Sequence, residues 1–297
     1  MSDRPDWDRE GADWPNRAAS RFVKAAGLTL HVQIMGAGPA LLLLHGTGAA
    51  THSWRALMPL LAEGFTVIAP DLPGHGFTRG VLADGATLPS VARGVAALMT
   101  ALEVNPAVIV GHSAGAAIAI RMALDRLAAP RALVGLSAAL LPFPGLAAQL
   151  FPTLAKLLFL NPFAPHIFAR MAQSPGEVGR FLPRATGSTI DAAGVASYAR
   201  LFAKAGHIRG TISMMASWDL DALKRDLPRL TVPLLLAHGE RDSAIPIATV
   251  RDATALIPGA RFESLGDLGH LAHEERPDLV AALIAKTVGE VQCNISA

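Results

Sequence analysis

The stretch Val108-Ile109-Val110-Gly111-His112-Ser113-Ala114-Gly115-Ala116-Ala117 constrains the rest of the chain more than any other. A short run of β-branched residues enters Gly-x-Ser-x-Gly and leaves as an alanine-rich helical pattern, which predicts a strand, a sharp turn and a helix. Gly111 and Gly115 flank the serine because such a turn brings helix and strand backbones so close that a Cβ would clash. Ser113 is expected in a strained conformation, its hydroxyl raised above the end of a sheet. The Ala114 amide opens the helix, where N–H groups are unpaired and the dipole is positive, so it can face a developing oxyanion.

The flanking sequence predicts an alternating α/β chain. Phe22 to Met35 has a hairpin pattern broken at Ala26-Gly27, and Ala40 to Leu44 is a doubly buried apolar strand. A loop at His45-Gly46-Thr47-Gly48 is followed by a helix over Trp54 to Ala62 and a strand over Phe65 to Ala69. That strand ends in Asp71-Leu72-Pro73-Gly74-His75-Gly76. A helix over Leu88 to Leu102 precedes the elbow, and helix Ala114 to Leu127 and strand Ala132 to Leu136 follow it. Alternation resumes with strand Val232 to Ala237, helix Ala248 to Leu256, strand Arg261 to Ser264 and a closing helix over Pro277 to Val288. Such order implies a mostly parallel sheet with right-handed crossovers, and chemistry beyond the carboxyl ends of the strands.

Between the two alternating halves the pattern stops. Short apolar helices broken by prolines (Pro142, Pro144, Pro152, Pro162, Pro165, Pro175, Pro183) predict a helical cap over residues 140–225, inserted in a core of 1–139 and 226–297. From Leu140 to Met171 only Lys156 and Arg170 are ionised. This stretch either packs on the core or offers a surface to a greasy substrate or a membrane. Residues 1–20 read as a polar arm that Trp7 and Trp14 dock on the body.

Composition narrows the function classes. The formal charge of +2, with no Lys/Arg-rich run, is too small for a nucleic-acid footprint. Cys293 is the single cysteine, which suits a reducing cytoplasm. No secretory signal or spanning apolar run is read, so a cytoplasmic protein is expected.

A serine hydroxyl needs a base within reach and a third group to orient that base. Asp242 follows the next-to-last strand and His270 the last, so the chain order serine, acid, histidine matches this architecture. His270 is the expected base and Asp242 its orienting carboxylate, with Glu240 and Asp267 as alternative acids and His273 as the alternative base. Thr47 N–H is the expected second oxyanion donor, with Gly48 the alternative. His270-x-x-His273-Glu274 is not His-Glu-x-x-His, so no metal is expected. His45 and His75 are read as loop-holding residues, and His273 as a helix-start histidine. Met214, Met215 and Trp218 fit either plain apolar packing or a pocket lining; Gly46, His112 and Leu141 are further substrate-contact candidates.

Together, His45-Gly46, Asp71-Leu72-Pro73-Gly74-His75-Gly76, Gly111-His112-Ser113-Ala114-Gly115, Gly239-Glu240-Arg241-Asp242 and Gly269-His270 resemble the α/β-hydrolase superfamily over residues 22–290. Serine at 113 distinguishes the chain from the dehalogenase and epoxide-hydrolase branches, known for aspartate there, and Gly48 stands where that superfamily often has proline. A narrower likeness rests on Asp13-Trp14-Pro15-Asn16-Arg17, the segment from His45 to Trp54, Met214 to Leu220 and Gly269 to Pro277. These resemble the magnesium-chelatase accessory hydrolases of bacteriochlorophyll biosynthesis. That resemblance implies a phototrophic bacterium, a cytoplasmic protein near the inner membrane, tetrapyrrole metabolism and magnesium-chelatase subunits as partners. Two functions follow as expectations: a cofactor-free serine esterase acting on an apolar ester, or a porphyrin-binding accessory protein with little turnover.

Overall fold

The computed structural model describes residues 3–142, 157 and 161–295. Eight strands form one sheet: β1 (Ser20–Ala25), β2 (Leu28–Met35), β3 (Ala40–Leu44), β4 (Thr66–Pro70), β5 (Val108–His112), β6 (Ala132–Leu136), β7 (Leu234–His238) and β8 (Arg261–Ser264). Their spatial order is β1-β2-β4-β3-β5-β6-β7-β8. β2 pairs antiparallel with both β1 and β4, and every other pairing is parallel. The inner parallel strands β3 to β7 are largely apolar because both faces are covered, whereas β8, at the sheet edge, is Arg-Phe-Glu-Ser and mostly exposed. Side-chain alternation divides them: Leu42, Leu44 and Ile109 enter one core, while Leu41, Leu43, Val108 and Val110 enter the other.

The helices, in chain order, are α1 (Trp7–Glu10), α2 (Leu57–Leu61), α3 (Leu88–Ala101), α4 (Ala114–Leu124), α5 (Ala164–Ala172), α6 (Glu177–Thr186), α7 (Ala192–Phe202), α8 (Ala205–Ser217), α9 (Leu220–Asp226), α10 (Ile247–Leu256), α11 (Ala272–Glu275) and α12 (Pro277–Ile295). α3, α4 and α10 cover one face of the sheet; α2 and α12 cover the other. Helices α5 to α9 lie between β6 and β7 in the chain. Leu182 of α6 and Tyr198 of α7 pack with Ala49, just beyond β3, and Leu271, beyond β8. This part of the chain therefore sits over the carboxyl ends of the strands.

The N-terminal arm is docked as its tryptophans predicted. Trp14 is buried, and its Nε1–H donates to the Thr51 hydroxyl at 2.9 Å. Trp7 meets Phe77 edge to face, with centroids 4.9 Å apart. Arg200 and Lys204, on and just after α7, bond Asp13 and Glu10 of the arm at 2.6 Å each.

Several boundaries differ from expectation. The helix expected over Trp54 to Ala62 is a 3-10 turn at Thr51–Trp54 followed by α2. The Thr51 amide, at the start of the 3-10 turn, donates to Asp71 Oδ1 at 2.7 Å. Pro183 does not break its helix but lies inside α6. The closing helix runs on to Ile295. The short helices expected around Pro144 and Pro152 fall outside the described residues.

Candidate active site

At the elbow, Ser113 has φ 51° and ψ −115°, a conformation that costs a residue with a Cβ about 1–3 kcal/mol. Its amide donates to the Leu136 carbonyl at 2.8 Å, and its carbonyl accepts from Ala116 and Ala139. A Cβ on Gly115 would overlap the carbonyl oxygen of Leu44, so α4 can approach β3 only with glycine there. Tight packing on both sides holds the strained serine in place.

His270 Nδ1 is 2.8 Å from Asp242 Oδ2. The other carboxylate oxygen, Oδ1, accepts the N–H groups of Ala244 and Ile245 at 2.8 and 2.9 Å. Burial alone would raise the Asp242 carboxyl. The His270 hydrogen bond and charge, with the Ile245 amide, outweigh it and hold the group below the usual carboxylate range. An ionised Asp242 accepts Nδ1–H, which leaves Nε2 of a neutral His270 free to take a proton. Glu240 instead bonds Ser264, and Asp267 pairs with Arg241, so neither expected alternative acid approaches His270.

Ser113 and His270 line one cavity of about 560 Å³, within the usual size range of ligand sites. Thr47 and Ala114 line it too, and among the described residues neither amide N–H is bonded to another group. Met214, Met215 and Trp218 form part of its wall. Trp218 is oriented by its Nε1–H, which donates to the Ala86 carbonyl at 3.0 Å.

Three of the expected contact residues are not on that wall. His112 is buried behind it, with Nε2 against the His270 carbonyl at 2.9 Å and its ring 4.7 Å from that of His270. Gly46 gives His112 room: a Cβ there would lie 2.8 Å from His112 Nδ1. Leu141 packs against the core. The alternation of a strand end cannot tell which side chain faces a cavity formed by a distant segment.

His45 and His75 hold loops. His45 Nδ1 contacts the Gly46 carbonyl and Nε2 accepts the Leu72 amide, while His75 Nδ1 contacts the Pro73 carbonyl. His273 is buried, with Nε2 2.8 Å from the Ser53 hydroxyl. Burial, and then the nearby His270 and Arg55, push it down to about 3, so it stays neutral. Sequence reasoning missed the rest of this network. Ser53 and Tyr198 both donate to Glu274 Oε1 at 2.7 Å, and Arg55 bridges Glu274 to Asp191. His238 was also missed: it lies 3.7 Å from Asp242 Oδ2. The Glu274 network joins residues far apart in the chain and left no local signal; His238 stands only four residues before Asp242, a spacing that was a signal.

The chain matches the model of the alpha/beta hydrolase fold over residues 39–277. It belongs to that family. The magnesium-chelatase 30 kDa subunit of Rhodobacter capsulatus is 40% identical over 275 residues, 92% of this chain and 95% of the relative. A pimeloyl-[acyl-carrier protein] methyl ester esterase of Xylella fastidiosa is 30% identical over 240 residues, 80% of this chain and 89% of the relative. Among solved structures, the epoxide hydrolase CorEH superposes with a TM-score of 0.78 at 24% identity, covering 90% of this chain and 97% of that one. At that identity the likeness concerns the fold. Among the described residues of this α/β hydrolase, no helix is long and apolar enough to cross a membrane.

Proposed function

We propose that the protein is a serine hydrolase that cleaves an apolar carboxylic ester through an acyl-enzyme on Ser113. The observation that carries this reading is the Asp242–His270 pair, 2.8 Å apart, with His270 on the same cavity wall as Ser113. His270 Nε2 takes the Ser113 proton as Oγ attacks the ester carbonyl, then returns it to the leaving alcohol. The N–H groups of Ala114 and Thr47 donate to the oxyanion, and water attacks the acyl-enzyme by the same route in reverse. Residues 140–225 act as a cap that keeps water from this chemistry. A fluorophosphonate probe should label Ser113, and the absence of labelling in folded protein would overturn the reading.

Thr47→Pro tests the second donor. It deletes the N–H and should lower kcat by about 10²–10³. Steady-state kinetics on protein whose circular dichroism matches the parent would measure this, and an unchanged kcat would remove Thr47 from the oxyanion hole.

A second reading is favoured by the identity to a magnesium-chelatase subunit and by the apolar cavity wall at Met214, Met215 and Trp218. Here a cytoplasmic accessory protein holds a porphyrin or its ester for magnesium-chelatase subunits, with peripheral membrane contact through the exposed Phe163, Ile167, Phe168 and Met171. Titration with protoporphyrin, followed at the Soret band, separates the two. Tight binding by Ser113→Ala with no product from tetrapyrrole esters supports handling, whereas product formation by the parent supports hydrolysis.

A further inference from the structure

The loop after β3 makes a tight turn, with the Ala49 amide donating to the Gly46 carbonyl at 3.2 Å. Its third residue, Gly48, has φ +82°, the value that this position of a type II turn requires. Proline cannot adopt that φ, and glycine alone lends the turn little stiffness, because it populates both signs of φ about equally. Something outside the turn must select one form.

That outside contact comes from α8. His207 Nε2 is 3.0 Å from the Gly48 carbonyl oxygen, and His207 Nδ1 accepts the Gly76 amide at 3.1 Å. The two bonds together require the neutral tautomer with its proton on Nε2. One buried ring thus joins the loop after β3 to the loop after β4. The same helix grips at two further points: the Thr47 hydroxyl donates to Met214 Sδ at 3.5 Å, and Gly210 packs so closely on Gly74 that a Cβ would overlap the Gly74 carbonyl.

From these contacts the geometry points to His207 as a positioning residue for the oxyanion hole, holding the Gly46–Ala49 turn in the form in which Thr47 lines the cavity beside Ser113. This rests on the serine-hydrolase reading. It makes a helix from between β6 and β7 part of the catalytic apparatus, so the fit of that segment on the core sets the rate as well as access.

The test compares His207→Phe, which keeps a ring but no hydrogen bond, with His207→Gln, which keeps a donor for the Gly48 carbonyl. Ester hydrolysis is measured per fluorophosphonate-titrated site, alongside hydrogen exchange of a peptide spanning residues 45–50. His207→Phe should lower kcat about 10- to 100-fold, less than outright loss of a donor, with KM within about twofold. Exchange at 45–50 should quicken, and His207→Gln should recover most of the kcat. Should His207→Phe not fold, His207→Asn, which retains an acceptor for Gly76 but falls short of Gly48, should show the same loss. A lower melting temperature with unchanged kcat per titrated site and unchanged exchange would overturn the proposal. If the parent has no Ser113-dependent turnover, the hydrolase reading falls; exchange at 45–50 then decides whether His207 holds the turn, faster exchange supporting it and equal exchange overturning it.

Discussion

Ser113→Ala is expected to lower kcat for an apolar ester by about 10⁶-fold while leaving KM and fold unchanged. The size of the effect follows from the division of labour at the site. His270 and Asp242 serve only to move one proton and to orient the ring that moves it, so without the hydroxyl they contribute nothing to attack. What survives is binding in the cavity and the two N–H donors. Alanine retains the Cβ at φ 51°, so backbone strain at the elbow is unchanged. Ser113→Gly would relieve it and should raise the unfolding free energy above that of the alanine variant by about 1 kcal/mol. Active-site titration, steady-state kinetics and urea unfolding measure all of this. Residual activity within tenfold of the parent would exclude Ser113 as the nucleophile.

The second large effect is on stability below neutral pH. Burial is the largest influence on each and pushes His45, His52, His75, His112 and His238 below the ordinary imidazole value; it takes His207 to about 4 and His273 to about 3. Their folded values lie below the unfolded one, so the unfolded chain binds more protons, and stability present above about pH 6.5 is lost as pH falls toward those folded values. At pH 5 the buried, neutral His207 and His273 each cost about 2 kcal/mol relative to the unfolded chain. That pair alone is a large part of a typical domain stability of about 5–15 kcal/mol, and the other five histidines act in the same direction. Glu274 works the other way: burial raises its carboxyl despite Arg55, so acid favours its neutral buried form, but it is one group against seven. Urea midpoints should therefore fall steeply between pH 6.5 and 5. A flat profile over that range would show that these histidines open to water before they titrate.

Much of the architecture was legible because the relevant physics is local. The strands at 40–44 and 132–136 have the bounds that their composition predicts, since an apolar run covered on both faces leaves no other periodicity to follow. Chain order placed Asp242 and His270 on loops at one sheet edge, and they meet there at 2.8 Å. The reading failed where a residue's neighbours come from far along the chain. His112, a candidate substrate contact, is covered by the loop that carries His270. His207, in a segment without strand-end logic, carried no signal at all.

The sequence alone determined the sheet, the elbow and the order of the three side chains, because buried strands and glycine-bounded turns are specified by residues within about ten positions of each other. Only the tertiary structure decided which histidine faces the cavity, which carboxylate meets His270, and which helix grips Gly48. Those outcomes depend on how segments more than a hundred residues apart come together, as His207 and Gly48 do at 3.0 Å, and such hydrogen bonds leave no periodicity to read.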